Sequence, residues 1–173
     1  FFSCTGKEHG NSNVAIDEYE IYADGKTITT RGLQKAIDDC SKNGGGIVSL
    51  PAGEYLTGTI VLKKNVTLKL EEGSKIIGSR NISDYPDKGR RKALIFAEKS
   101  DNISIIGRGE IDGNGAAFNQ GNDAPNRPTL VLLLDCNKVK VNGVKLSNSG
   151  FWTFRFVRCD GVDISKVYVE GHA

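Results

Sequence analysis

Few side chains in this sequence have the type and spacing that chemistry on a substrate requires. Asp160 and Asp163 are the nearest pair of carboxylates within a repeated segment, and such pairs can serve as general acid and base. Asp160 falls in a turn and Asp163 alternates outward between two apolar residues, so both are interpreted as solvated residues. Asp112 lies in a bend before a glycine and is expected to accept a hydrogen bond within its own turn. No residue of the chain is therefore predicted to be catalytic.

Arg155 and His172 are the two candidate substrate-binding residues. Trp152, Phe154 and Phe156 alternate with Arg155, which predicts aromatic side chains in the core and the arginine on the opposite face. An arginine in that position can pair with a carboxylated ligand, or it can rest on the surface with its charged end in water. His172 can contact a substrate near the end of the last strand, or it can be an ordinary turn residue.

The composition argues against several classes of function. The chain has 173 residues and a net charge of +2, which gives no global attraction for nucleic acid. No apolar run reaches the length of about 18 residues that a membrane-spanning helix needs. Gly107-x-Gly109 is not followed by a helix, as a phosphate loop would be. No metal or other cofactor is predicted, because no Cys-x-x-Cys spacing joins the cysteines Cys4, Cys40, Cys136 and Cys159.

A repeat of 23 residues near the C-terminus must position these side chains. The segment from Cys136 matches the segment from Cys159, and earlier copies begin at Lys64 and Asp101. Such a period predicts a stacked architecture in which each coil packs on the next. The two aligned cysteines are expected to be buried thiols, since a disulfide needs a geometry that stacked strands seldom offer. Four apolar pairs coincide in this repeat: Val139 with Val162, Val141 with Ile164, Val144 with Val167, and Leu146 with Val169.

One helix and many short strands complete the pattern. The helix is predicted over residues 28–43, with Thr29 or Thr30 as its N-cap and an apolar face at helical spacing. Short segments rich in Val, Ile and Leu follow, separated by Gly, Asn, Asp and Ser. The residues Asn65, Asn102 and Gly161 tolerate the left-handed backbone of a sharp bend before a strand, whereas Lys138 at the equivalent place is an exception.

The sequence therefore predicts an all-β fold, a parallel β-helix (solenoid) with an N-terminal capping α-helix. Residues 1–13 are expected to be a disordered or linker tail, and residues 14–173 the coils of a single domain. Two insertions, over about residues 78–92 and 113–128, are the expected binding surfaces, because long loops on a regular scaffold often carry function. No comparable cap follows the last strand, so the β-helix is expected to be truncated at its C-terminal end.

Seven short segments carry a family resemblance, in this order: Leu33–Asp38, Asn43–Gly46, Leu50–Tyr55, Thr57–Ile60, Gly107–Gly115, Arg127–Pro128 and Asn148–Thr153. Together they resemble the polygalacturonase family, glycoside hydrolase family 28 of the pectate-lyase-like superfamily, in its bacterial branch. The resemblance covers about residues 24–173. It implies a right-handed parallel β-helix that hydrolyses pectic polysaccharides with inversion.

The resemblance also limits what this chain is expected to do. The family's first catalytic aspartates follow the strand that here reads Val167-Tyr-Val, and no such motif occurs before Ala173. The chain is therefore expected to be an inactive N-terminal portion of a pectin-degrading enzyme. Ala116 and Ala117 stand where the family commonly has bulky aromatic residues, which leaves the substrate subclass open.

Further expectations concern partners and location. The resemblance implies an acidic pectic polysaccharide as substrate, no nucleic acid, and a monomeric parent protein. Cys4 follows a small residue, as in a bacterial lipoprotein processing site, so a lipid anchor at Cys4 is possible. The expected location is secreted, periplasmic or anchored in the bacterial outer membrane. Two alternatives stay open: a pectate-lyase-type polysaccharide lyase, which would need clustered carboxylates for Ca²⁺, and a non-enzymatic β-helix for carbohydrate binding or adhesion.

Overall fold

A computed structural model of the chain describes residues 13–87, 92–118 and 127–171. In this part of the chain, one helix, α1 (Thr30–Lys42), is accompanied by short strands in three parallel sheets. Sheet A contains β1 (Asn13–Val14), β2 (Gly46–Leu50), β5 (Val66–Leu70), β8 (Ile103–Gly107), β11 (Asn137–Asn142) and β14 (Asp160–Ser165). Sheet B contains β3 (Gly53–Thr57), β6 (Ser74–Gly78), β9 (Glu110–Asp112), β12 (Lys145–Ser147) and β15 (Tyr168–Glu170). Sheet C contains β4 (Ile60–Val61), β7 (Ala93–Glu98), β10 (Thr129–Leu134) and β13 (Phe154–Val157).

The chain passes from sheet A to sheet B to sheet C and then returns to sheet A one rung further along. This path is the predicted right-handed parallel β-helix, in keeping with the handedness of parallel crossover connections. Of the predicted tail, residues 1–12 lie outside the described residues, and Asn13 pairs with Ile47 in sheet A. None of the helices in the described ranges has the length and apolar character needed to cross a membrane.

The register of the last two coils confirms the 23-residue repeat. Val139 lies opposite Val162 and Val141 lies opposite Ile164 in sheet A, while Leu146 lies opposite Val169 in sheet B. Cys136 is fully buried in the stack, and both it and Cys159 are free thiols. Alternate residues of each strand point inward and fill the interior, because the side-chain period of a strand is two. In sheet B the inward column reads Tyr55, Ile76, Ile111 and Leu146.

Residues with a left-handed backbone conformation form the corner between sheet C and sheet A. Asn65, Asn102 and Gly161 have φ of 63°, 55° and 60°, as their positions predicted. Lys138 has φ of 55° and therefore makes the same turn, so its treatment as an exception was wrong. The side chains also stack along the axis, since Asn102 Nδ2 donates to Asn65 Oδ1 at 3.1 Å.

Helix α1 covers the first coil by bonding to its exposed backbone. The Gln34 side chain donates to Val61 O at 3.0 Å and accepts from Val61 N–H at 2.7 Å, so it pairs with the edge strand of sheet C. Thr30 Oγ1 accepts from Gly58 N–H at 2.7 Å. Neither threonine caps the helix as predicted, since no side-chain bond reaches the first turn from the N-cap Thr29. The Thr30 hydroxyl instead satisfies a backbone N–H at the open end of the solenoid. The Thr29 hydroxyl accepts from Tyr22 N–H and donates to Glu20 O, in the segment before the helix.

The long connections of the described coils follow sheet B and lead to sheet C. Among the described residues, this B–C corner comprises 58–59, 79–87, 92, 113–118, 127–128 and 148–153. The described parts of both predicted insertions fall within it, except Gly78, which ends β6. Because successive coils stack in register, the loops come together on one side of the solenoid. The fold thereby builds one continuous loop surface beside the outer face of sheet B.

Candidate functional site

A cavity of about 370 Å³ lies at the B–C corner, between the loops of the third and fourth coils. We call it the corner cavity. Its walls are mainly backbone and small side chains, joined by an arginine and a phenylalanine: Gly115, Arg127, Ser149, Gly150, Phe151 and Gly171. Its volume is near the lower end of the range of about 300–1,000 Å³ that is usual for ligand sites. Gly171 follows the last strand of sheet B directly, so the cavity is continuous with that edge of the sheet.

The outer face of sheet B beside this cavity carries alternating charges. Lys75, Glu110 and Lys145 occupy one register position on three successive strands. Glu110 Oε1 lies 3.8 Å from Lys75 Nζ and 3.6 Å from Lys145 Nζ. Lys145 Nζ also lies 2.7 Å from a carboxylate oxygen of Glu170, which helps to raise the pKa of Lys145. Sequence reasoning missed this ladder, although the equal sequence spacing of its three members was a usable signal.

Asp112 joins the charge ladder to the corner cavity. Its Oδ1 accepts from the backbone N–H of Asn114 at 2.8 Å and from Asn148 Nδ2 at 3.0 Å, and its Oδ2 lies 2.8 Å from Lys75 Nζ. Burial by itself raises the pKa of the Asp112 carboxyl. The lysine, the backbone N–H and the amide lower it further than burial raises it, so the net pKa lies below the ordinary value. The predicted bond within its own turn is present, and the bonds to neighbouring coils were not foreseen.

We expect Asp112→Asn to lower the free energy of unfolding by about 1–3 kcal/mol at neutral pH, because Lys75 loses its nearest counter-charge. The pKa of Asp112 is lowered by folding, so its ionised form adds stability above the unfolded pKa near about 4, and this is lost as pH falls through the folded pKa. The difference between parent and variant should therefore shrink below about pH 4, measured by urea unfolding across a pH series.

Asp163→Asn is the matched control for that experiment. Asp163 is exposed on β14 and makes no ion pair within the described ranges. The same chemical change there should leave the free energy of unfolding within about 0.5 kcal/mol of the parent value at every pH. An equal loss in both variants, or a loss at Asp112 that does not vary with pH, would contradict the role given to the Asp112 carboxylate.

An aromatic contact supports the loops beneath the cavity. Tyr85, in the second coil's loop, is 0% exposed and packs edge-on against Phe118 of the third coil's loop, with ring centroids 5.7 Å apart. A Cβ placed on Gly150, in the fourth coil's loop, would lie 3.3 Å from Phe118 Cδ2, so that loop approaches the same ring closely. Three consecutive loops are thus packed together, and they hold the cavity wall in place.

The structure places Arg155 away from the corner cavity. Arg155 lies in register with Leu132 on the outer face of sheet C, and its guanidinium is 5.9 Å from the centre of the Trp152 ring. Phe154 and Phe156 pack against the core as predicted. The prediction was wrong for Trp152, which is 52% exposed because it lies in the loop before β13, where strand alternation does not apply.

His172, the other candidate, lies outside the described residues, so the structure does not bring it together with Arg155. Arg127 was not among the sequence candidates, although its place at the end of an insertion and before a strand was a usable signal. Within residues 13–87, 92–118 and 127–171, no group of three or more His, Cys, Asp or Glu side chains is arranged to hold a metal ion.

Comparison with known proteins gives a consistent result. The sequence model of the Glycosyl hydrolases family 28 matches residues 40–173. The chain is 34% identical over 158 residues to the exo-poly-alpha-D-galacturonosidase of Dickeya chrysanthemi, covering 78% of this chain. It is 32% identical over 157 residues to plasmin and fibronectin-binding protein A of Streptococcus pneumoniae, covering 83% of this chain. A solved structure from Parabacteroides merdae, described as a glycosyl hydrolase, superposes with a TM-score of 0.86 at 33% identity, covering 92% of this chain and 75% of that one.

The chain corresponds to only part of the curated relatives. It spans 25% of the length of the Dickeya chrysanthemi protein and 22% of the length of the Streptococcus pneumoniae protein. The match nevertheless includes all of sheet B and the loops that line the corner cavity, since these lie between residues 53 and 171.

Proposed function

Since the chain belongs to the Glycosyl hydrolases family 28, we propose that it is part of an enzyme that hydrolyses glycosidic bonds in pectic polysaccharides of the galacturonan type. One observation carries the proposal. The family match covers the charged face of sheet B and the corner cavity beside it, and over 158 aligned residues the chain is 34% identical to a relative named for action on polygalacturonate.

The proposed reaction is hydrolysis with inversion at the anomeric carbon. That mechanism needs a general acid and a water-activating base about 6.5–9.5 Å apart. The carboxylates of Asp112 and Glu110 on the described face of sheet B already contact lysines, which suits a charged, structural role. We therefore assign the catalytic pair to neither of them, and we propose that the 173-residue chain by itself does not hydrolyse polygalacturonate.

The proposal extends to location. Pectic polysaccharides lie outside the cell that degrades them, so we propose export of the protein, with Cys4 as a candidate site of lipid attachment. Intact mass measurement of the protein purified from its native membrane fraction tests the anchor, because a lipid on Cys4 adds a defined mass. A protein found without that mass, in the soluble fraction alone, would contradict the anchor and leave secretion in place.

The activity is tested with the protein expressed from its complete reading frame. Polygalacturonate and neutral galactan are offered separately, and the release of reducing ends is measured together with the anomeric configuration of the first product by proton NMR. We expect reducing ends from polygalacturonate alone, with the product anomer inverted relative to the bond cleaved. The 173-residue chain, assayed in parallel, should release none.

Two outcomes would overturn this function. Calcium-dependent formation of unsaturated, ultraviolet-absorbing products would instead indicate a lyase on the same scaffold. A complete failure to release reducing ends from any galacturonate-containing polymer would argue against hydrolysis altogether.

A second candidate function is adhesion to host proteins. It is favoured by the 32% identity to a protein named for binding plasmin and fibronectin, and one scaffold can host both functions. Surface plasmon resonance against immobilised fibronectin and plasmin tests it. Saturable binding of the complete protein, together with no hydrolysis, would favour adhesion over the pectic enzyme.

A further inference from the structure

Arg127 occupies an unusual position in the corner cavity. Its guanidinium carbon lies 5.5 Å from the centre of the Phe151 ring, so the cation rests on an aromatic face. Its Nε is buried and has no hydrogen-bond partner, and no carboxylate of the described ranges forms an ion pair with it. A buried, unpaired donor of a charged group destabilises the folded state. Native structures seldom retain such a group unless it serves a purpose.

Three other described arginines do not share that position. Arg158 forms paired hydrogen bonds to the carboxylate of Asp135, and Arg108 lies 3.4 Å from a carboxylate oxygen of Glu72. Arg155 lies on the exposed ring of Trp152, outside the corner cavity. Arg127 thus combines enclosure in a cavity with a guanidinium that lacks a counter-charge among the described residues.

The remaining walls of the cavity are polar backbone and small side chains. Gly115 lets the backbones of the two loops approach closely, since a Cβ there would lie 2.5 Å from Ser149 O. The Ser149 hydroxyl accepts from Thr153 Oγ1 at 3.3 Å, which leaves its own O–H directed elsewhere. A polar rim around one charged group is what distinguishes a site for an acidic sugar from a purely apolar pocket.

We propose that the corner cavity binds the carboxylate of one uronic acid unit, and that Arg127 is the residue that selects acidic over neutral sugars. The inference deepens the proposed function and rests on it for the class of polymer. A carboxylate can accept two parallel hydrogen bonds from one guanidinium, whereas the hydroxymethyl group of a neutral hexose cannot. Phe151 contacts the guanidinium on one side, with 5.5 Å between the guanidinium carbon and the ring centre.

The test is binding of trigalacturonate and of uncharged galactotriose to the 173-residue chain, by isothermal titration calorimetry at physiological salt. Salt at that level suppresses long-range attraction between exposed charges. We expect Arg127→Gln to weaken trigalacturonate binding about tenfold or more. Arg127→Lys should also weaken it, because lysine keeps the charge but not the planar pair of donors. The parent chain should prefer the acidic trimer to the neutral one.

Arg158→Gln is the matched control, since it removes the same charge from an exposed arginine that pairs with Asp135 outside the cavity. It should change the affinity by less than about twofold. Urea unfolding of each variant shows whether weaker binding results from loss of the fold. Arg127→Lys keeps the positive charge, so its weaker binding would be attributed to the lost pair of donors. Equal effects of the two glutamine variants or a larger effect at Arg158 would overturn the proposal. So would an absence of binding or a lack of preference for the acidic trimer.

The outcome is also distinguishable from a failure of the proposed function. If the complete protein hydrolyses polygalacturonate while Arg127→Gln binds trigalacturonate as the parent does, the site assignment fails and the function survives. If binding depends on Arg127 while no polymer is hydrolysed, the carboxylate site survives and the function fails.

Discussion

Replacing Tyr85 with alanine is expected to lower the free energy of unfolding by about 3–5 kcal/mol. Tyr85 is fully buried under the loops of the B–C corner, and its ring packs edge-on against Phe118 at 5.7 Å. Its hydroxyl donates to Ser79 O at 2.6 Å, and its carbonyl accepts from Lys92 Nζ at 2.7 Å. Truncation to alanine would leave a cavity between two loops that cannot easily collapse onto a rigid solenoid.

Two further variants serve as comparisons for the loss of stability in Tyr85→Ala. Tyr85→Phe keeps the ring and removes only the hydroxyl, so a loss of about 1–2 kcal/mol is expected. Tyr22→Ala is the surface control, since Tyr22 is 46% exposed, and its loss should stay within about 1 kcal/mol. Urea unfolding followed by tryptophan fluorescence measures all three. A loss at Tyr85→Ala that is no larger than the loss at Tyr22→Ala would contradict the supporting role of this residue.

The variant should also affect ligand binding. The Tyr85 ring contacts Phe118, which in turn lies close to the loop that contains Gly150 and Phe151. Loosening of that packing would move the cavity wall on which Arg127 rests. Weaker trigalacturonate binding by Tyr85→Ala than by Tyr85→Phe, at a temperature where both are folded, is therefore expected.

Gly107→Ala is the second substitution with a large expected effect, a loss of about 3 kcal/mol or more. Gly107 ends β8 with φ of 125°, a backbone conformation that residues with a side chain rarely adopt. A Cβ at this position would overlap the carbonyl oxygen of Leu70 on the preceding coil. That oxygen also accepts from Arg108 N–H at 2.9 Å, so it is not free to move aside.

Gly44→Ala isolates the backbone contribution. Gly44 has φ of 98°, yet no atom of the described chain lies within 4 Å of a Cβ built there. Its loss should be about 1–2 kcal/mol, the strain of the left-handed backbone alone. Thermal and urea unfolding of both variants give the comparison. Equal losses in the free energy of unfolding would contradict a clash between the stacked coils at Gly107. Gly107→Ala would also affect the site, because it would displace β9, the strand from Glu110 to Asp112.

The sequence predicted the regular part of this structure because its signals are periodic. Val139 and Val162 recur one coil apart, and each such pair must face the interior when successive coils stack in register. The helix was predicted over residues 28–43 and observed over Thr30–Lys42, because its apolar face and terminal glycines act locally. The strand β3 was missed, because Pro51-Ala52-Gly53 indicates a turn at its start, and Gly53–Thr57 pairs with β6 as a strand.

The candidate site, by contrast, depended on contacts between distant residues. Asp112 was recognised as a turn residue from its neighbours, but its bonds to Lys75 and Asn148 cross to two other coils. The orientation of Arg155 away from the cavity follows from the register of β13 with β10, which no local pattern contains.

By itself, the sequence determined the class of fold, its repeat and the family, because hydrophobic periodicity and short motifs are properties of neighbouring residues. Only the tertiary structure decided where the chemistry can lie. Stacking brings loops from consecutive coils to one corner, encloses Arg127 on Phe151 and leaves Arg155 outside. The physical reason is that burial and charge pairing depend on which coils contact each other. The spacing of one residue type along the sequence does not specify those contacts.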